Sequence, residues 1–164
     1  MPATYEPIAT TTLGSAASAI TFNSIGAGYT DLRVVLVCQN ASSTFSVKLN
    51  FNNDTASNYS FTYLRGNGTA ASSGRGTNST FIEMDAQNIS PNWALNTADI
   101  FSYAGSTNKT ALITGSQDAN GSGGVYRYVG LWRNTAAITR VDLTSVSNNF
   151  TTGTTATLYG ILKA

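Results

Sequence analysis

Asp118, Asn120 and Ser122, followed by Gly123, have the types and alternate spacing of the first ligands of a calcium loop. Val129 stands where such a loop closes with a bidentate glutamate, and the flanks "ALITGS" and "VYRYVG" alternate like strands, not helices. Asn-Gly and Gly-Gly tolerate positive φ, so the stretch reads as a hairpin turn and no metal is expected. Glu83 and Asp85 in "FIEMDAQ" are the only carboxylates spaced for the paired acid–base work of a glycosidase. On one strand they share the face opposite Ile82 and Met84, which is the solvent side. Histidine is absent, which removes the commonest general base, the commonest zinc ligand and any Ser-His or Cys-His dyad. Cys38 is the single cysteine and reads as a small buried hydrophobe in a strand. "GSGG" and "GRG" lack the Lys-Ser/Thr ending of a phosphate loop. The chain therefore reads as non-enzymatic, with no cofactor.

The aromatic residues carry more. Tyr126, Tyr128 and Trp132 share one face of a predicted strand, with Arg127, Leu131 and Arg133 on the other. Such a row is a sugar-stacking platform, an interface anchor or half of a core face. Trp93, beside a loop, is the better candidate for exposure. With Arg65 and Arg75 in the Gly- and Ser-rich stretch "RGNGTAASSGRGTNS" (65–79), read as a surface loop, it forms the candidate recognition surface.

The elements that must hold these residues are strands. "TFSVKLNF" puts Phe45, Val47, Leu49 and Phe51 on one face, and "NYSFTYL" does the same with Tyr59, Phe61 and Tyr63. "DLRVVLV" is nearly continuous in β-branched residues, as in a strand covered on both sides. Gly, Asn, Ser and Pro clusters bound about ten such runs. "SPNWALNTAD" admits one short helical turn, capped by Ser90 with Pro91 at its first position. The pattern predicts an all-β, two-sheet antiparallel sandwich, jelly-roll-like, over residues 14–164. An extended arm over residues 1–13 would precede it, stiffened by Pro2 and Pro7 and anchored by Tyr5 and Ile8.

Charged residues make up 10% of the chain and net charge is +1. That leaves no basic field for nucleic acid, and little self-repulsion to oppose assembly. No apolar stretch approaches the ~20 residues that span a bilayer, and the start shows no secretory signal pattern.

Four ordered blocks, "ITFNSIGAGYTDLRVVL", "LNFNNDTASNY", "GLWRNTAAIT" and "TTATLYGILKA", resemble a family of small structural proteins of tailed bacteriophages, frequent in marine and cyanobacterial phages. The resemblance runs from about Thr11 to Leu162. It implies a virion component made in the bacterial cytoplasm and carried on the outer surface of the particle. First among its implied roles is a capsid decoration or cement protein, a homo-trimer on the major capsid protein, with Pro2, Tyr5, Pro7 and Ile8 as capsid contacts. The alternative is a tail-fibre or receptor-binding tip that recognises a host-surface glycan through Trp93 and residues 65–79. The family brings no catalytic residues with it.

Overall fold

In "SVKLNF", Val47, Leu49 and Phe51 are fully buried and the residues between them are not, so the period of two decides which side faces the core. A computed structural model of the chain describes residues 4–40, 46–85 and 92–162. Pro2, Phe45, Ser90 and Pro91, and with the last two the expected helical turn, lie outside the described residues. Among the described residues there are twelve strands and no helix. They are β1 (Tyr5–Thr12), β2 (Ala19–Phe22), β3 (Asp31–Cys38), β4 (Ser46–Phe51), β5 (Tyr59–Gly66), β6 (Ala71–Ser79), β7 (Ile82–Asp85), β8 (Ala94–Phe101), β9 (Lys109–Gln117), β10 (Gly124–Trp132), β11 (Val141–Ser145) and β12 (Thr155–Ile161).

The strands form a two-sheet antiparallel sandwich. The larger sheet has the order β1-β12-β3-β8-β9-β10-β5-β6 and the smaller β2-β11-β4-β7. Their inner faces meet in one apolar core, in which β7 of the small sheet lies over β10, β5 and β9. Gly130 on β10 permits that approach, because a Cβ there would come within 2.4 Å of Ile82.

Two expectations need correcting. The arm is not separate from the domain over Tyr5–Thr12, which pairs with β12 along its length, with one irregularity between Pro7 and Ala9. The β-branched Ile8 and Thr10–Thr12 favour a strand once β12 offers a partner, and Pro7 is tolerated because β1 is an edge. The stretch 65–79 is also not one loop. Arg65 and Gly66 end β5, Ala71–Ser79 is β6, and the turn between them closes on Asn67, whose Oδ1 accepts from the backbone N–H groups of Thr69 and Ala70. The glycines of "GRG" seat aromatic rings: a Cβ at Gly74 would meet Tyr63 at 2.6 Å, and one at Gly76 would meet Phe61 at 2.6 Å. Composition favoured a loop here, but cross-strand rings made it a strand.

Two of the blocks behind the phage resemblance brace each other in space. Asn52 donates to Ala137 O and accepts from Thr139 N and Arg140 N, joining "LNFNNDTASNY" to "GLWRNTAAIT". Asp54 accepts from Trp132 Nε1 at 2.7 Å and from Asn58 Nδ2 at 3.0 Å. Beneath them Phe51, Tyr59 and Trp132 pack ring on ring, with Tyr59 stacked on Trp132 at 6.3 Å.

The Tyr59 hydroxyl in this cluster gives the fold an alkaline limit. Burial pushes its pKa up to about 12 from 10.0, although hydrogen bonding to Phe51 and Asn50 opposes the rise. Between those values the unfolded chain releases the phenolic proton and the folded chain holds it, so stability falls as pH rises. Denaturation from neutral pH to pH 12 should show a loss on the order of 2 kcal/mol from this group, absent in Tyr59→Phe.

Candidate recognition surfaces

Alternation along the large sheet leaves one face for solvent, and that face carries more apolar than charged side chains. Leu64 (65% exposed), Val125 (63%), Val129 (47%) and Phe101 (42%) stand on it, among threonines and the half-buried Val35 and Leu112. Arg33 pairs with Asp99 across β3 and β8 at 3.6 Å, both partly exposed, a pair of little net worth. Arg127 donates to Thr114 Oγ1 at 2.7 Å. An outer face this apolar departs from the clean inside–outside alternation of an antiparallel sheet that faces water. The signal lay in "DLRVVLV" and "VYRYVGLW", where both parities carry apolar residues, but only the pairing order shows that they share one broad surface.

At one end of this face is an open cleft of about 460 Å³, within the range of small-ligand sites. Trp93 and Leu95 from the start of β8, Asn67 from the β5–β6 turn, and Asp118 and Val125 from either side of the β9–β10 turn line it. Trp93 is 45% exposed. Gln117 Nε2 donates to Asn92 O at 3.0 Å and so ties down the residue that precedes the indole. The far edge of the ring lies against Gly153, where a Cβ would sit 3.4 Å from it. An aromatic wall flanked by a carboxylate and amides is the equipment that stacks on a sugar ring and hydrogen-bonds its hydroxyls.

The β9–β10 loop is the expected turn: Asn120 and Gly121 have φ of 58° and 84°, and Asp118 Oδ1 accepts from Gly121 N at 2.9 Å. Among the described residues no three His, Cys, Asp or Glu side chains come together to hold a metal. Glu83 accepts from Ser46 Oγ at 2.9 Å, and the Asp85 side chain lies outside what is described. Tyr126, Tyr128 and Trp132 are core residues, so the platform reading of that row is set aside. Cys38 is buried beside Asn96.

The candidate site residues separate. Trp93 lines the cleft beside Gly66–Gly68, while Arg65 lies over the Tyr126 ring and Arg75 stands exposed on β6, outside the cleft. Tyr5 packs edge-on against Tyr159, with the Arg33 guanidinium 6.0 Å from its ring. Ile8 packs on the core. Leu95, Val125 and Asp118 were not singled out as recognition residues, since strand order and loop closure bring them together.

No family model, curated protein or solved structure matched the chain.

Proposed function

We propose that the chain is a non-enzymatic structural protein of a phage particle, a decoration protein that stands among protein neighbours on the shell. The observation that carries this reading is the broad outer face of the large sheet, where exposed Leu64, Val125, Val129 and Phe101 stand among threonines and a few charges of both signs, a surface suited to being covered by protein. Pairing order supports a jelly roll, the architecture common in viral coats. In a jelly roll the first strand pairs with the last, the last with the third and the third with the sixth. Counting from β2, the small sheet β2-β11-β4-β7 follows that rule. The large sheet adds β3-β8 and β5-β6, with the β9–β10 hairpin set between them and β1 and β12 outside. The test is copy number against the major shell protein, by quantitative mass spectrometry of purified particles. A simple fraction of the shell count is expected, and absence from particles would overturn the reading.

The cleft favours a second reading, a tail-associated tip that binds a host glycan. On that reading Trp93→Ala should lower affinity for a neutral oligosaccharide at least tenfold, or about 1.4 kcal/mol, with the melting temperature nearly unchanged. A glycan array on which the wild-type chain stays at background removes this second reading.

A further inference from the structure

The outer face of the large sheet matches itself about a two-fold axis, and we propose that it pairs two copies of this chain. β9 has β8 on one side and β10 on the other, with β3 and β5 next and β12 and β6 beyond. An axis along β9 in the plane between two stacked faces lays each of these strands over its counterpart from the second copy. The cross-strand registers then decide which residues meet.

Along the row through Thr114 (Val35, Thr97, Thr114, Arg127, Leu64), Val35 comes over Leu64 of the second copy. Along the row through Leu112 (Tyr159, Arg33, Asp99, Leu112, Val129, Thr62, Arg75), Leu112 meets its own symmetry mate. At the ends of that row Tyr159 comes under Arg75, a cation over an aromatic ring. One row further, Phe101 comes over Leu131. Charge follows the same symmetry. Asp99 and Arg127 lie on opposite sides of β9, one row apart, so each carboxylate comes within an arginine's reach of the guanidinium across the interface, twice per pair.

The area is adequate. Seven overlapping strands, about 4.8 Å apart and roughly 24 Å long, cover on the order of 800 Å² per copy, the share of each partner in a standard interface. The net charge of +1 adds almost no repulsion between copies. The Trp93 clefts would open at one end of the shared axis. This pairing rests on the reading of the face as a covered surface, but not on the particle that carries the chain.

The test is sedimentation equilibrium of the full chain across micromolar concentrations. Twice the 17.2 kDa chain mass is expected. Leu112→Lys, on the axis, should give a monomer whose circular dichroism and melting remain those of a folded sandwich. Arg127→Glu alone and Asp99→Lys alone should each weaken self-pairing at least tenfold, since each puts like charges together twice. Mixed one to one they should pair with each other at close to wild-type affinity, because both cross-interface contacts are then attractive. A side chain that merely supports the fold would not give that partner-specific recovery. A wild-type chain that is monomeric throughout, a trimer, a dimer indifferent to Leu112→Lys, or two single variants that fail to pair on mixing would each overturn the proposal. A monomeric chain found in particles at shell stoichiometry would sink the two-fold and leave the decoration reading standing. A two-fold dimer absent from particles would do the reverse.

Discussion

Trp132→Ala is expected to lower the stability of the chain by about 4 kcal/mol, or roughly 8–16 °C in melting temperature for a domain of this size. The indole is fully buried, stacks on Tyr59 and lies 5.6 Å from Phe51. Its Nε1 donates to Asp54 Oδ2 at 2.7 Å, so truncation removes packing and leaves a carboxylate short of a donor. Trp132→Phe separates the two, since it keeps most of the ring and loses only the hydrogen bond. A loss of about 1–2 kcal/mol is expected for it. Burial alone would raise the Asp54 pKa, but hydrogen bonds from Asn58, Trp132 and the Ala56 N–H outweigh burial and hold it below 3.8. A carboxyl depressed in this way stabilises the fold above its unfolded-chain pKa, and that contribution is lost as pH falls through the folded value. Trp132→Phe should therefore also lose less stability on acidification than the wild type. Urea titrations at neutral pH and near pH 3 measure both effects. An alanine variant within 1 kcal/mol of wild type would mean that the ring cluster is not a keystone of the core.

Lys109→Ala is expected to cost about 3 kcal/mol. Lys109 is fully buried, and its Nζ donates to Gly105 O at 2.7 Å, to Thr107 O, and to Thr135 O at 3.3 Å. Burial lowers the pKa of the ammonium. The three carbonyl oxygens favour the charged form and in return find their donor in it. One side chain thus ties the turn after β8 to the segment after β10. Alanine would leave three inward carbonyls without that donor and a cavity beside them. Lys109→Met keeps the length of the chain and removes the donors, so its loss of about 2 kcal/mol isolates the polar share. Amide exchange should quicken first in residues 102–108, ahead of the strands. If exchange rose evenly over the whole sandwich, the ammonium would be a general core residue and not a local tie.

Both residues show how chemistry legible as a type can be illegible as a place. Trp132 read as platform, anchor or core, and parity alone set it beside Tyr126 and Tyr128 without saying which side β7 would cover. Nothing in the sequence marks Lys109 as buried, and its cage of carbonyls comes from segments that only the fold brings near. The cleft follows the same rule. Trp93 was singled out for exposure and is exposed, but Asn67 and Asp118 reach the cleft from two different turns and Leu95 from the start of β8.

The sequence by itself determined the local order. A period of two in apolar residues, with Gly, Asn and Ser at the breaks, leaves strands as the only elements that can bury those residues. A chain built from such runs must close two faces on each other, and its low charge leaves neutral surfaces whichever way it closes. Tertiary structure alone decided the rest. It turned residues 71–79 into β6 under two aromatic rings, and it drew Tyr5–Thr12 into an edge of the large sheet. It also ranged the outward residues of eight strands into one broad face. The physical reason is that alternation fixes which residues share a side of their own strand. Which strands become neighbours is settled by pairing between segments far apart in the chain, as between β1 and β12.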